Sequence, residues 1–328
     1  AYDLTRTYFR EEADYPGPKT MTAAADWLRR QAPHHDRFFM LVDEFDPHEP
    51  FDTPEPWASR YGEPVDGERI IWPPYAIDAV ARGRITAAEG RQVRNNYGAK
   101  LSMIDHWLGR VLTALEETGR REDTMVIITT DHGHYLGERD LFGKPGVPHY
   151  EPLSHIPLMI QGPGIAPGRY PHLSTTVDIH ATLCDLFDLT PSQKGHGASL
   201  LPALANPSRK TRDWALAGVF GRWVQITDGR YKYARGPVDP SNLLLSLWSN
   251  RWSTMPVRGM ASLRLPAPDH RAFIDFMPGA TIPVLRQPFA PGDPLPYWAL
   301  GMKPAQHVLF DLENDPEEAH NLCGTAQE

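Results

Sequence analysis

Three stretches of this chain place reactive side chains where the backbone has to stop and turn. Residues 131–133 read Asp-His-Gly and follow 125–130 (MVIITT), a continuous apolar, β-branched run. Such a run reads as a strand buried on both faces of a parallel sheet. Asp131 and His132 then offer one oxygen and one nitrogen donor at the carboxyl edge of that strand, where open α/β sheets bind ligands, and Gly133 permits a sharp turn. Residues 38–42 (FFMLV) form a second such run, followed by Asp46-Pro47-His48-Glu49-Pro50. The prolines end strand and helix alike, so His48, a side chain suited to proton transfer, is held on a stiff loop. Lys144 lies in the Gly/Pro-rich stretch FGKPGVP and supplies a positive charge for an anionic substrate.

The elements around these residues explain how they would meet. Thr86-Ala-Ala-Glu89 is a capping box. It opens a long helix whose stripe runs through Val93, Tyr97, Leu101, Ile104, Leu108, Val111, Leu112 and Leu115, closed by Gly119. Strand, long helix and strand predict a right-handed crossover with the two strands parallel. His48, Asp131, His132 and Lys144 are then expected at one edge of the sheet. A helix is predicted over 20–31, with Met21, Ala24, Ala25 and Leu28 inward. A third strand is predicted over 156–160. A further helix is predicted over 175–187, with Val177, Ala181, Cys184 and Phe187 inward.

The Pro/Gly-rich passage 191–207 marks a domain boundary near 205. The expected division is an α/β main domain over 1–205 and a smaller C-terminal domain over 206–328. In the latter, 214–219, 223–227 and 231–234 read as short strands, with Asp228-Gly229 as a hairpin turn. Residues 308–312 read as a last strand joining them in a separate antiparallel sheet. The stretch 236–305 has no clear period and should carry its own packing. Its tryptophans, Trp248 to Trp298, are read as packing rather than a sugar platform.

Bulk properties narrow the function classes. The 328 residues carry 33 Lys+Arg against 41 Asp+Glu, a net charge of −8, with no basic block. Nucleic acid and anionic membranes are therefore not expected partners. No apolar run reaches the ~18 residues of a membrane span. Proline, at 33 residues, is about twice its usual ~5% share, which implies many structured loops. The two cysteines, Cys184 and Cys323, allow no disulfide framework. The chain opens at Ala1 without a methionine, so localisation and oligomeric state stay open.

Four segments together resemble the sulfatase family of the alkaline-phosphatase-like superfamily. They are 38–50 (FFMLVDEFDPHEP), 124–138 (TMVIITTDHGHYLGE), 142–158 (FGKPGVPHYEPLSHIPL) and 308–322 (VLFDLENDPEEAHNL). The resemblance implies a large sheet sandwiched by helices, with a small C-terminal antiparallel sheet domain. It makes Asp131 and His132 metal ligands, Lys144 the sulfate contact and His48 the group beside the leaving oxygen. Many members have Asn at the position of His132. Ca²⁺ is the metal the family implies, and the nitrogen ligand also admits Mn²⁺ or Zn²⁺. His134, His149 and His155 are read as hydrogen-bonding members of the site wall, and Glu138 with Arg139 as a surface pair.

Family chemistry implies a formylglycine nucleophile made from Cys or Ser in a Cys/Ser-x-Pro/Ala-x-Arg motif. Neither cysteine stands in one: Cys184 reads CDLFD and Cys323 reads CGTAQ. Ala205-Asn-Pro-Ser-Arg209 has Ala at the nucleophile position. The paired aspartates that complete the metal site also have no counterpart. The expectation is a sulfatase region lacking its first part, acting on a small-molecule or carbohydrate sulfate ester and inactive alone. The alternatives are a phosphonate monoester or phosphodiester hydrolase of the same superfamily, or a non-catalytic remnant.

Overall fold

Residues 8–63, 67–191, 195–219, 222–238, 245–249, 269–290, 293 and 306–324 are described in the computed structural model of the chain. Two compact units interleave along the sequence. The first comprises Ala1–Thr130, His134–Pro145 and Pro157–Gly164, and the second Asp131–Gly133, Gly146–Ile156 and Ile165–Glu328. The boundary expected near 205 falls inside the second unit.

The first unit is built on two helices. α1 (Pro16–Gln31) begins earlier than its apolar stripe, because Pro16 stands at the first helical position, where a missing N–H costs nothing. Its buried face is Met21, Ala24, Ala25 and Leu28, as the spacing predicts. α2 (Ala87–Glu117) is capped reciprocally: Thr86 Oγ1 accepts from Glu89 N at 3.2 Å, and Thr86 N donates to Glu89 Oε2 at 2.7 Å. Gly119 adopts φ +68 just past its end. The two helices share a core in which Leu28, Met103, Trp107, Val111 and Leu115 are buried. A second cluster, Phe51, Ile85, Val93 and Phe142, joins α2 to the segment beyond His48.

Strand pairing in this unit departs from the sequence expectation. β1 (Val126–Thr129) pairs antiparallel with β4 (Leu158–Gln161), in the register Val126↔Gln161 to Thr129↔Leu158. Between them in sequence, β2 (Tyr135–Leu136) and β3 (Phe142–Gly143) form a small antiparallel pair. The segment 38–42, predicted as a strand, joins no ladder among the described residues. Phe38, Met40 and Val42 pack on the helical core, whereas Phe39 and Leu41 are 59% and 77% exposed. The predicted parallel crossover is therefore not formed among these residues. An apolar run states that side chains favour burial; it does not state whether one or both faces are covered.

In the second unit, α3 (Glu151–Ser154) precedes α4 (Thr176–Leu186) and α5 (Leu201–Ala205). α4 buries Cys184, as its apolar spacing predicts, but not Val177. Val177 is 51% exposed, while Asp178 and Thr182 are fully buried. Asp178 receives a two-pronged ion pair from Arg212 and a 2.8 Å hydrogen bond from Ala198 N. Thr182 Oγ1 accepts from Leu200 N at 2.9 Å. Polar groups are buried here because each is matched by a partner.

β5 (Ala215–Val219), β6 (Trp223–Thr227), β7 (Tyr231–Arg235) and β11 (His307–Asp311) form a four-stranded antiparallel sheet in the order β11-β7-β6-β5. The Asp228-Gly229 turn closes the β6–β7 hairpin, with Asp228 Oδ1 accepting from Arg230 N at 2.9 Å and Tyr231 N at 2.7 Å. Between β7 and β11, β8 (Ser246–Ser249), β9 (Phe273–Asp275) and β10 (Val284–Pro288) make a separate three-stranded sheet in the order β8-β10-β9. Part of the stretch read as periodless, including Trp252 and Trp298, lies outside the described residues. Among the described residues, no helix is long and apolar enough to cross a membrane.

Candidate active site

The loop that carries His48 is clamped from beneath by α2. Lys100, 2% exposed, reaches Asp46 Oδ1 at 2.7 Å and donates to the Pro50 carbonyl oxygen at 2.7 Å. One ammonium thus holds both ends of the segment containing His48 and Glu49. Burial pushes the Asp46 carboxyl up from its ordinary range, and Lys100 opposes that shift.

His48 and Lys144 meet above a buried carboxylate. Lys144 Nζ lies 3.0 Å from His48 Nε2. An ammonium only donates, so Nε2 is the acceptor there. His48 Nδ1 lies 2.7 Å from the Glu49 carbonyl oxygen and therefore donates to it, which fixes the ring tautomer. The Glu49 side chain, 6% exposed, places Oε1 3.4 Å from Lys144 Nζ and Oε2 3.3 Å from His48 Nδ1. Oε1 also accepts from the Tyr75 hydroxyl. His134 places Nε2 3.5 Å from Oε2, and its Nδ1 donates to the Tyr135 carbonyl oxygen at 2.9 Å. Burial alone would push the Glu49 carboxyl up. His134, Tyr75 and Lys144 together outweigh it and hold the group well below the usual carboxylate range. Phe45 packs on the His48 ring, centroids 4.3 Å apart, and is 61% exposed.

Asp131 and His132 belong to the second unit. His132 Nδ1 lies 2.8 Å from the Gly133 carbonyl oxygen, so the ring proton sits there and Nε2 carries the lone pair. That Nε2 is 3.5 Å from Asp131 Oδ2, and the two side chains are 42% and 81% exposed. Gly133 is required by close approach: a Cβ there would meet the Pro152 carbonyl oxygen at 1.9 Å. The oxygen and nitrogen donors fit one edge of a divalent-cation site. Among the described residues no group of three or more His, Cys, Asp or Glu is arranged to hold a metal, so this pair does not complete one. Nearby in the same unit, His149 stacks edge-on against Trp223, and its imidazole is pushed down to about 4 by burial first, then by His132 and Lys232.

Of the four residues singled out in the sequence, the structure brings His48 and Lys144 into contact within one unit and sets Asp131 beside His132 within the other. Glu49 carries a signal that the sequence reading passed over: a charged residue between His48 and Pro50. Tyr75 carries none, being 26 residues from Glu49 in the chain. Lys100 stands three residues after Tyr97 and four before Ile104, so helical spacing puts it on the buried side of α2, a signal in the sequence.

The profile of the Sulfatase family matches residues 3–189. The chain belongs to the sulfatase family. It is 32% identical over 166 residues to a choline-sulfatase of Rhizobium meliloti (strain 1021), covering 48% of this chain and 32% of that one. The structure of a 2-O GAG sulfatase superposes with a TM-score of 0.57 at 18% identity, over 94% of this chain and 58% of that one. A phosphonate monoester hydrolase of Agrobacterium radiobacter superposes with a TM-score of 0.59 at 19% identity, over 96% and 58%. The fold is thus the alkaline-phosphatase-like one, with a smaller C-terminal antiparallel sheet. The chain spans about a third to about half the length of the curated relatives it matches.

Proposed function

We propose that this chain forms part of a sulfatase active site and contributes the sulfate-binding and proton-donating side of sulfate-ester hydrolysis. The observation that carries this reading is the Lys144–His48 contact at 3.0 Å over the buried Glu49 carboxylate. A sulfate ester engaging Lys144 takes over the donor that His48 Nε2 now uses. Nε2, still aimed into the site by the Nδ1 anchor, can then carry the proton that goes to the leaving oxygen as the S–O bond breaks. Lys144 stabilises the charge on the sulfuryl oxygens.

Asp131 and His132 would hold part of a divalent cation, Ca²⁺ by resemblance with Mn²⁺ or Zn²⁺ as alternatives. Its contribution would be charge stabilisation on a bound anion. The nucleophile is not a cysteine of this chain. Cys184 is buried within α4, and neither Cys184 nor Cys323 stands in a formylglycine motif. The formylglycine is assigned to sequence other than these 328 residues, which alone should not turn over. The likeness to a phosphonate monoester hydrolase supports a second reading, because a tetrahedral phosphonate or phosphodiester anion makes the same demands on Lys144.

The test is hydrolysis of an aryl sulfate and of a phenyl phosphonate ester, with and without Ca²⁺ or Mn²⁺. The isolated chain is compared with an enzyme containing this region and an installed formylglycine. Metal-dependent turnover of the sulfate by the complete enzyme, lost in Lys144→Ala, is expected. Preference for the phosphonate would favour the second reading. Full activity of Lys144→Ala would remove the lysine from the mechanism.

A further inference from the structure

Glu49 is the one group touching every other member of the His48–Lys144 cluster, and the chemistry above gives it no step. Its carboxylate is buried, it approaches two imidazoles and one ammonium, and a tyrosine hydroxyl fixes its orientation. Oε2 has two imidazole nitrogens at 3.3 and 3.5 Å and no close hydrogen bond. A carboxylate kept charged in such a place is stabilised by cationic and polar neighbours, and it acts on them in return.

We propose that Glu49 is the positioning residue of this site and its resident counter-charge. It orients Lys144 and His48, and it offsets the lysine's charge so that a free oxyanion is held weakly. The inference rests on the reading of Lys144 as the sulfate contact. Its physical basis is a difference in charge. A sulfate monoester carries one negative charge and inorganic sulfate two, so repulsion from Glu49 falls about twice as heavily on the product. With Lys144 and Glu49 summing to zero, the ester is tolerated and the dianion is released. The charged and titratable groups facing this pair are His48, His134, Tyr75 and, across the Lys100 clamp, Asp46.

Inorganic sulfate is titrated into the full 328-residue chain while the side-chain ammonium ¹⁵N signal of Lys144 and the ring nitrogens of His48 are followed by NMR. Turnover is not needed. Glu49→Gln keeps the shape and removes the charge. It is expected to bind sulfate roughly tenfold tighter or more, from the loss of one negative charge about 6 Å from a dianion, even at the dielectric of water. It is also expected to broaden the Lys144 signal, because the ammonium loses its fixed partner. Damage to the fold would weaken sulfate binding, so the sign separates the two causes.

Lys144→Met is the control and should abolish binding. If it does, and Glu49→Gln binds sulfate no tighter or leaves the Lys144 signal unchanged, the role of Glu49 is overturned while Lys144 keeps its own. If sulfate binds equally well without Lys144, or binds neither the parent chain nor Glu49→Gln, the reading of Lys144 fails and the proposal falls with it. Should the Gln variant not fold, Glu49→Asp carries both readouts, since it draws the charge back by one methylene. A smaller tightening with a broadened Lys144 signal is then expected, and no change in either overturns the proposal.

Discussion

Replacing Lys100 by methionine tests the foundation of the site. Methionine fills much of the same volume, so packing along α2 is largely kept. What is lost is an ammonium with a 3% exposed side chain, facing the 2% exposed side chain of Asp46 at 2.7 Å. The Pro50 carbonyl oxygen also loses its donor. A buried ion pair stripped of one partner leaves an uncompensated charge, which typically costs about 3–5 kcal/mol. Asp46 already has its carboxyl pushed up by burial. For an acid whose folded-state pKa is raised, the folded state binds more protons than the unfolded one. Stability is therefore recovered as pH falls, and the Lys100→Met deficit should shrink between pH 7 and pH 5. Urea denaturation of parent and variant at the two pH values checks both size and sign. A deficit under about 1 kcal/mol, or one that grows at pH 5, would refute the clamp.

Further outcomes are expected. Lys144→Ala should lower turnover of a complete enzyme by roughly 10²-fold or more. It should also cost about 1–3 kcal/mol of stability, since its side chain is only 18% exposed and neutralises Glu49; kinetics and denaturation on the same preparation separate the two. Gly133→Ala should destabilise the Asp131–His132 turn, because its Cβ has no room against Pro152, and faster amide exchange at residue 133, whose N–H donates to the Leu153 carbonyl oxygen at 2.9 Å, should report it. Burial raises the Glu151 carboxyl, and its hydrogen bond with His155 and the charge of Lys232 pull it down to about 2. A depressed folded-state pKa gives stability that is present above the unfolded value of 4.5 and lost as pH falls toward 2. Glu151→Gln should therefore flatten the acid limb of a stability–pH curve, and an unchanged limb would show that other carboxylates dominate it.

The local elements were legible because their causes are local. The Thr86–Glu89 box, the stripe of α1 and the Asp228-Gly229 hairpin each rest on contacts between residues close in sequence, or on a repeated side-chain period. His48, Asp131, His132 and Lys144 were found the same way, as reactive side chains at points where strand or proline forces a turn. Other features were not written there. Whether 38–42 is covered on one face or two depends on what packs against it. α4 turned its apolar Val177 outward because Arg212 and the backbone at Ala198 make burial of Asp178 favourable. Above all, the sequence carried no notice that Lys100 would hold Asp46 and Pro50, or that Tyr75 and His134 would close on Glu49. The worth of a buried charge depends on which partners lie within a few ångströms. That distance exists only once the chain has folded.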